Sequence, residues 1–448
     1  MTMRSITLVL VLSSVAGCGL SRPPSAPTIT APSKEEIPLL VEAAGRGETS
    51  AAARLRAAGP EGFEAVLAAY DASASEPEKQ GRLASALDVV AAQKDAHAAR
   101  LYWSTDLEEA KARAKTSGKP ILSLRLLGRL DEELSCANSR FFRTALYPNQ
   151  EVGTLLREKF ILHWSTERPA PIITIDFRDG RRIKRTVTGN SLHYVLDQEG
   201  RVVDAIPGLY GPRAFAMAVA RAGEVARQTQ SLDDDDRARA LASWHAGALA
   251  ALRREWPDAL ASAGVFARVV FPADVVAPAA PSSPPPPAMV AMPVAPTKAI
   301  VEMPLIKGTM RMPEVTVPEL PWSQMSVSRA PYCKLDAASI ALVREKRPRS
   351  WTDAKAMGRP LSDDELVAVV RGFESSMAAD TVKNELVHHA IIHRWLGEAA
   401  RTHSGGDDFA RLNARVYTEL FKTPASDPWL GLVPPSVFTG IQDDGIGQ

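Results

Sequence analysis

The residues able to do chemistry are few and scattered. Three cysteines stand at Cys18, Cys136 and Cys333, too few for a four-thiolate zinc or iron–sulfur site and for a disulfide-built scaffold. Cys136 opens Cys136-Ala137-Asn138-Ser139, a thiol with a hydroxyl three residues on. A second group, Glu385, His388, His389 and His393, lies in one short stretch. On an α-helix Glu385, His389 and His393 share a face at i, i+4 and i+8, and Glu385 with His388 has Glu-x-x-His spacing. That geometry could hold zinc or iron. A second Glu-x-x-His with further glutamates is missing, however, and so is His-Glu-x-x-His. The stretch therefore reads as a packed or surface helix, and no metal or cofactor is expected. Asp233–Asp236 lacks the Asp-x-Asp-x-Asp-Gly pattern of a calcium loop; ahead of Arg237–Leu252 it reads as acidic charge at a helix N-terminus. His163-Trp164 and His193-Tyr194 fall on expected strands, where packing is the simpler role. No Gly-x-Ser-x-Gly turn, Walker loop or Gly-x-Gly-x-x-Gly occurs.

These residues must be positioned by a chain of 448 residues, enough for several domains. Lys and Arg number 53 against 52 Asp and Glu, a net charge of +1, which excludes nucleic-acid binding through bulk basic charge. Fourteen of the 34 prolines fall between Pro272 and Pro331, so residues 272–331 read as an extended spacer. Residues 34–100 are rich in Ala, Leu, Glu and Arg at helical spacing and read as a helical N-terminal region. Residues 231–271 read as a helical extension and 332–448 as a helical C-terminal domain, with Leu366, Val369, Val370 and Phe373 at helix spacing. Between them, residues 101–230 mix the two periods. Thr105–Glu108 reads as a capping box opening a helix. Strands are expected over Ile121–Leu127, Phe160–Ser165, His193–Leu196 and Arg201–Ile206. A hairpin is expected at Asp179-Gly180, pairing Ile172–Phe177 with Ile183–Val187, and a closing helix after Pro212.

The N-terminus carries an address. Arg4, the apolar run Ile6–Leu12 and the small residues that follow describe a secretory signal over residues 1–17. Val15-Ala16-Gly17-Cys18 resembles the bacterial lipobox. The resemblance implies that Cys18 becomes an acylated N-terminus, with residues 18–33 a disordered tether, and Gly19 points to outer-membrane sorting. The implied location is the cell envelope, facing the periplasm, with a lipid membrane as one partner.

The central segment resembles the thioredoxin-like domains of exported bacterial proteins. The resemblance rests on Trp103, Ala110/Ala114, Lys119-Pro120-Ile121-Leu122, Cys136-x-x-Ser139, Phe141, Val152, Leu155/Leu156, Phe160 and Leu196-Asp197-x-x-Gly200-x-Val202-Val203. It implies an α/β thioredoxin-like centre, a mixed sheet flanked by helices, between mainly α-helical N-terminal and C-terminal regions. In that family a redox cysteine sits at a helix N-terminus, where the dipole and free N–H groups favour a thiolate. Cys136 becomes the candidate nucleophile and Ser139 its modulator, a hydroxyl able to bond the sulfur. The chain departs from the family at three points: Ser139 replaces the second cysteine, Ser191 stands where a proline is usual, and Ser135 precedes the motif. Three readings of Cys136 stay open: a reactive monothiol, an inert thiol in a degenerate binding domain, or a disulfide with Cys333. Two functions follow: disulfide exchange on exported proteins, or a non-enzymatic adaptor for envelope proteins.

Overall fold

The computed structural model describes residues 30–186, 189–265, 269–274, 322–346, 362–402 and 408–430. Cys18, the expected signal and most of the tether, and the bulk of the proline-rich stretch lie outside the described residues.

Proline and glycine set the bounds of the first helices. α1 (Glu36–Arg46) stops at Gly47, whose φ of 95° is left-handed and cheap only for glycine. α2 (Thr49–Ala57) is followed by α3 (Pro60–Ala72) and α4 (Pro77–Ala91). Both of these open on a proline, which forfeits no helical hydrogen bond in the first turn. Leu55, Phe63, Val66, Leu83 and Leu87 close a core of their own among these helices. A short helix, α5 (Ala96–Ala99), leads to the centre. There Trp164 Nε1 donates to the Ala92 carbonyl at 2.8 Å, and Arg56 donates to the Val90 and Trp103 carbonyls.

α6 (Leu107–Ser117) is capped by Asp106, whose carboxylate accepts from the Glu108 and Glu109 amides. The cap therefore lies one residue beyond the expected Thr105, because the extended backbone of Asp106 aims its side chain at both amides. β1 (Ile121–Leu127) and β2 (Ile161–Arg168) are parallel. β5 (Ser191–Leu196) and β6 (Val202–Pro207) run antiparallel to their neighbours, giving a mixed sheet in the order β2-β1-β5-β6. Between β1 and β2 the chain forms α7 (Ala137–Phe141), a π-helical turn (Phe142–Leu146) and α8 (Gln150–Lys159). β3 (Ile172–Asp176) and β4 (Arg182–Thr186) pair separately as the expected hairpin. α9 (Pro212–Thr229) and the long α10 (Asp234–Ser262) follow. Asp233 caps α10 by accepting from the Asp236 amide at 2.8 Å, as the acidic run suggested. A mixed α/β centre flanked by helices is thus present.

Every residue of β5 and β6 is buried, so elements must cover the sheet on both faces. α9 lies against both strands, and C-terminal elements lie against β6. These elements are α11 (Trp322–Met325) with a 3₁₀ segment (Ser326–Cys333), then α12 (Ala337–Glu345) and α13 (Asp363–Lys383). α13 runs through a π-helical stretch (Asn384–His389) into α14 (Ala390–Thr402). α15 (Phe409–Arg415) ends in a further π turn, Val416–Leu420.

Two boundaries differ from the reading of the sequence. The expected spacer end at 331 falls inside packed structure, since Met325 and Cys333 are both buried. The expected boundary at 332 does not divide two cores: side chains from Leu101 to Leu430 join one apolar cluster. The physical reason is the doubly covered sheet, which takes its second layer from the far end of the chain.

Gly211 shows how tight that docking is. Its amide donates to Thr381 Oγ1 at 2.8 Å, and a Cβ there would sit 2.3 Å from Cys333 Sγ and 2.6 Å from Cys333 Cα. Gly211→Ala is expected to cost about 1–3 kcal/mol by overpacking, read as a lowered urea midpoint. An unchanged midpoint would show that the 3₁₀ segment yields freely.

Candidate functional site

β1 ends at Leu127, and the loop beyond it brings Cys136 to the N-cap of α7. The Ser139 amide donates to Cys136 Sγ at 3.4 Å. The Ser139 hydroxyl accepts from Ser135 Oγ at 2.9 Å, and the bond to the sulfur comes from the Ser139 amide instead of the expected hydroxyl. Asn138 Nδ2 donates to Ser191 Oγ at 2.7 Å, tying the motif to the start of β5. C-terminal elements close over this end of the sheet. Phe141 meets Phe373 with ring centroids 5.3 Å apart, Ser339 Oγ donates to the Ala145 carbonyl, and Asn190 Nδ2 donates to Thr423 Oγ1. Cys136 is 0% exposed. Burial pushes its thiol up, outweighing the Ser139 and Asn138 amides and the Arg140 charge.

Cys333 is likewise a free, buried thiol. It lies 3.6 Å from Thr381 Oγ1, and burial raises it to about 11. Each sulfur has its own neighbours, so the disulfide considered from the sequence is not made. His163 and His193 pack, as expected: His163 Nδ1 pairs with Ser123 Oγ and His193 Nε2 with Tyr147 OH, each at 2.8 Å.

A pocket of about 540 Å³ opens elsewhere, where β6, α9, α10, the 3₁₀ segment and the Asn384–Thr402 stretch meet. Glu385, His389 and His393 all line it, whereas His388 turns away to Asn384 Oδ1 and the Phe421 ring. Helix spacing therefore places three of the four residues together, although a π-helical stretch runs through Asn384–His389. Two further residues complete the group. Asp204, from the otherwise apolar β6, is 1% exposed and has His389 Nε2 3.0 Å from each carboxylate oxygen. His245, from α10, has its Nδ1 2.9 Å from His393 Nδ1. Burial works to raise the Asp204 carboxyl, but the facing His389 and His393 outweigh it and hold the group well below the usual carboxylate range. Burial depresses His245 to about 4 and His393 strongly as well. The cluster thus sets a carboxylate among imidazoles, with burial disfavouring charge on His245 and His393 and their facing Nδ1 atoms sharing one hydrogen bond.

Around this cluster the pocket wall is polar on one side and aromatic on the other. Arg329 forms ion pairs with Glu255 and Glu385. Trp244 sets its ring edge-on to both His245 and His393. Tyr210 lines the pocket, is 1% exposed, and its hydroxyl has no hydrogen-bond partner among the described residues. Asp204 and His245 were missed by spacing alone. The available signal was one ionisable residue inside the apolar run Val202–Ile206. No protein-family model matches this chain, and no curated protein and no solved structure matches it either.

Proposed function

We propose that this protein is an envelope lipoprotein, anchored through acylated Cys18, whose thioredoxin-like domain binds exported or envelope proteins without disulfide chemistry. The fold reading is supported by the strand order β2-β1-β5-β6, with one parallel and two antiparallel pairings. It is also supported by the cysteine at the N-cap of the helix that follows β1. One observation carries the choice between adaptor and enzyme: the Cys136 sulfur has no solvent exposure. A disulfide-exchange nucleophile must ionise and reach a substrate sulfur in line, and a covered, desolvated thiol does neither. A binding role has a surface available, because the β3–β4 hairpin exposes Ile172, Ile175 and Phe177 by 51%, 42% and 47%. Apolar side chains on a short hairpin, which is two-stranded among the described residues, suit an extended polypeptide.

The test is alkylation of the folded protein followed by mass analysis. Cys136 is expected to stay unmodified until denaturant is added, and complexes cross-linked in the envelope are expected to survive Cys136→Ala and weaken in Ile175→Asp. Mixed disulfides with exported proteins that vanish in Cys136→Ala would overturn the adaptor reading. Palmitate incorporation lost in Cys18→Ala tests the anchor separately.

A further inference from the structure

We propose that Asp204, His245 and His393 bind a divalent first-row transition-metal ion, with His389 orienting Asp204 and a coordination position left open to the pocket. The three ligand atoms come from β6, α10 and α14 and lie within 4.8 Å of one another. Zinc bonds to nitrogen and oxygen run about 2.0–2.2 Å, so tetrahedral donors stand roughly 3.4 Å apart. The separations of 2.9 Å from His245 Nδ1 to His393 Nδ1 and 3.9 Å from His393 Nδ1 to Asp204 Oδ1 bracket that spacing. Two imidazoles and one carboxylate, with no thiolate, are donors for zinc, iron(II) or cobalt(II) rather than for a soft monovalent ion.

The surroundings fit a metal better than a simple polar core. The cationic partners in range of the Asp204 carboxylate are imidazoles only, among the described residues, and Arg329 is committed to Glu255 and Glu385. A bound dication would add a fixed countercharge to a carboxylate whose partners here are imidazoles alone. The outer layer is built as well. His389 Nε2 faces both Asp204 oxygens, and His245 is held by a backbone hydrogen bond to Val203, next to the ligand Asp204. Such partners fix ring orientation around metal ligands. Three protein donors leave a fourth position, and the wall of the pocket carries the unpartnered Tyr210 hydroxyl. This inference rests on neither Cys136 nor the anchor.

The experiment uses the full chain, stripped with chelator and titrated with Co(II), followed by Zn(II) competition. One equivalent of Co(II) is expected to bind with visible d–d absorption, quenching Trp244 fluorescence in a signal that Trp244→Phe removes. His245→Ala and His393→Ala are expected to weaken binding at least about 100-fold, and His389→Gln about 10–100-fold. Cys136→Ala leaves binding unchanged. Should the histidine variants fail to fold, the wild-type melt decides, because Zn(II) bound only by the native state raises Tm by mass action. Substoichiometric Co(II) without a Tm rise, or unchanged affinity in folded His393→Ala, overturns the proposal and leaves a hydrogen-bonded histidine cluster.

Discussion

Arg143→Ala is expected to destabilise the protein by about 3 kcal/mol, the lower end of the cost of stranding a buried charge. The Arg143 side chain is 1% exposed, with Nη1 3.3 Å from Asp95 Oδ2 and 3.7 Å from Glu133 Oε2. Its Nη2 donates to the Glu133 carbonyl at 3.2 Å. One guanidinium thereby joins the approach to α5, the loop that delivers Cys136, and the π turn after α7. Lys346 Nζ stays 2.6 Å from Asp95 Oδ1, which is why the lower end applies. Asp95→Asn separates the charge effect from packing, since asparagine tolerates the left-handed φ of 61° at that position. In a double-mutant cycle by urea unfolding, Arg143→Ala in the Asp95→Asn background is expected to cost clearly less than in the wild type. A loss below about 1 kcal/mol for Arg143→Ala alone would mean that the loop is held by its apolar contacts instead.

The same variant reaches the thiol. Ser135 sits between Arg143 and Ser139, and the Thr186 hydroxyl donates to the Ser135 carbonyl at 2.9 Å. Loosening that loop exposes Cys136 without altering it. Faster alkylation of Cys136 in Arg143→Ala would mark burial, and not intrinsic reactivity, as the control on its chemistry.

What was legible in the sequence is what local chemistry decides. β1 is found at its expected residues, Ile121–Leu127, because Gly118 and Pro120 precede an apolar run that Gly128 ends. The hairpin follows from Asp179-Gly180, and α9 from Pro212 in its first turn. What escaped depends on partners far along the chain. Asp204 and His389 are separated by 185 positions, a distance over which no periodicity carries information. Arg143 meets Asp95 and the nearer Glu133, a pairing that local sequence does not show. Trp322–Cys333 was hidden by proline-rich composition, although Met325 and Cys333 are core residues. Cys136 has the motif position of a reactive thiol. The helix it opens is docked by Phe373 and Ser339, more than 200 residues downstream, through Phe141 and Ala145.

Acidification to about pH 5 is expected to remove about 4 kcal/mol of stability through two sheet histidines, His163 and His193. Both are buried and neutral, and burial depresses His163 to about 4 and His193 to about 3. In the unfolded chain each titrates near pH 6.5. Between the two values the unfolded state binds more protons, so stability rises with pH through this window and is fully present above about 6.5. As pH falls through 6.5 toward the folded values, that stability is lost. At about pH 5 each imidazole lies about 1.5 pH units below its unfolded pKa, worth about 2 kcal/mol apiece. His163→Asn keeps a partner for Ser123 and His193→Gln one for Tyr147 OH, while neither side chain titrates. Each variant is expected to halve the wild-type contribution of this pair between about pH 7.5 and 5, read as the change in urea midpoint. Burial depresses His245 and His393 as well, shifting the wild-type slope in the same direction, so the difference between wild type and variants carries the test. Parallel pH profiles for all three proteins would show that these rings meet water in the folded state.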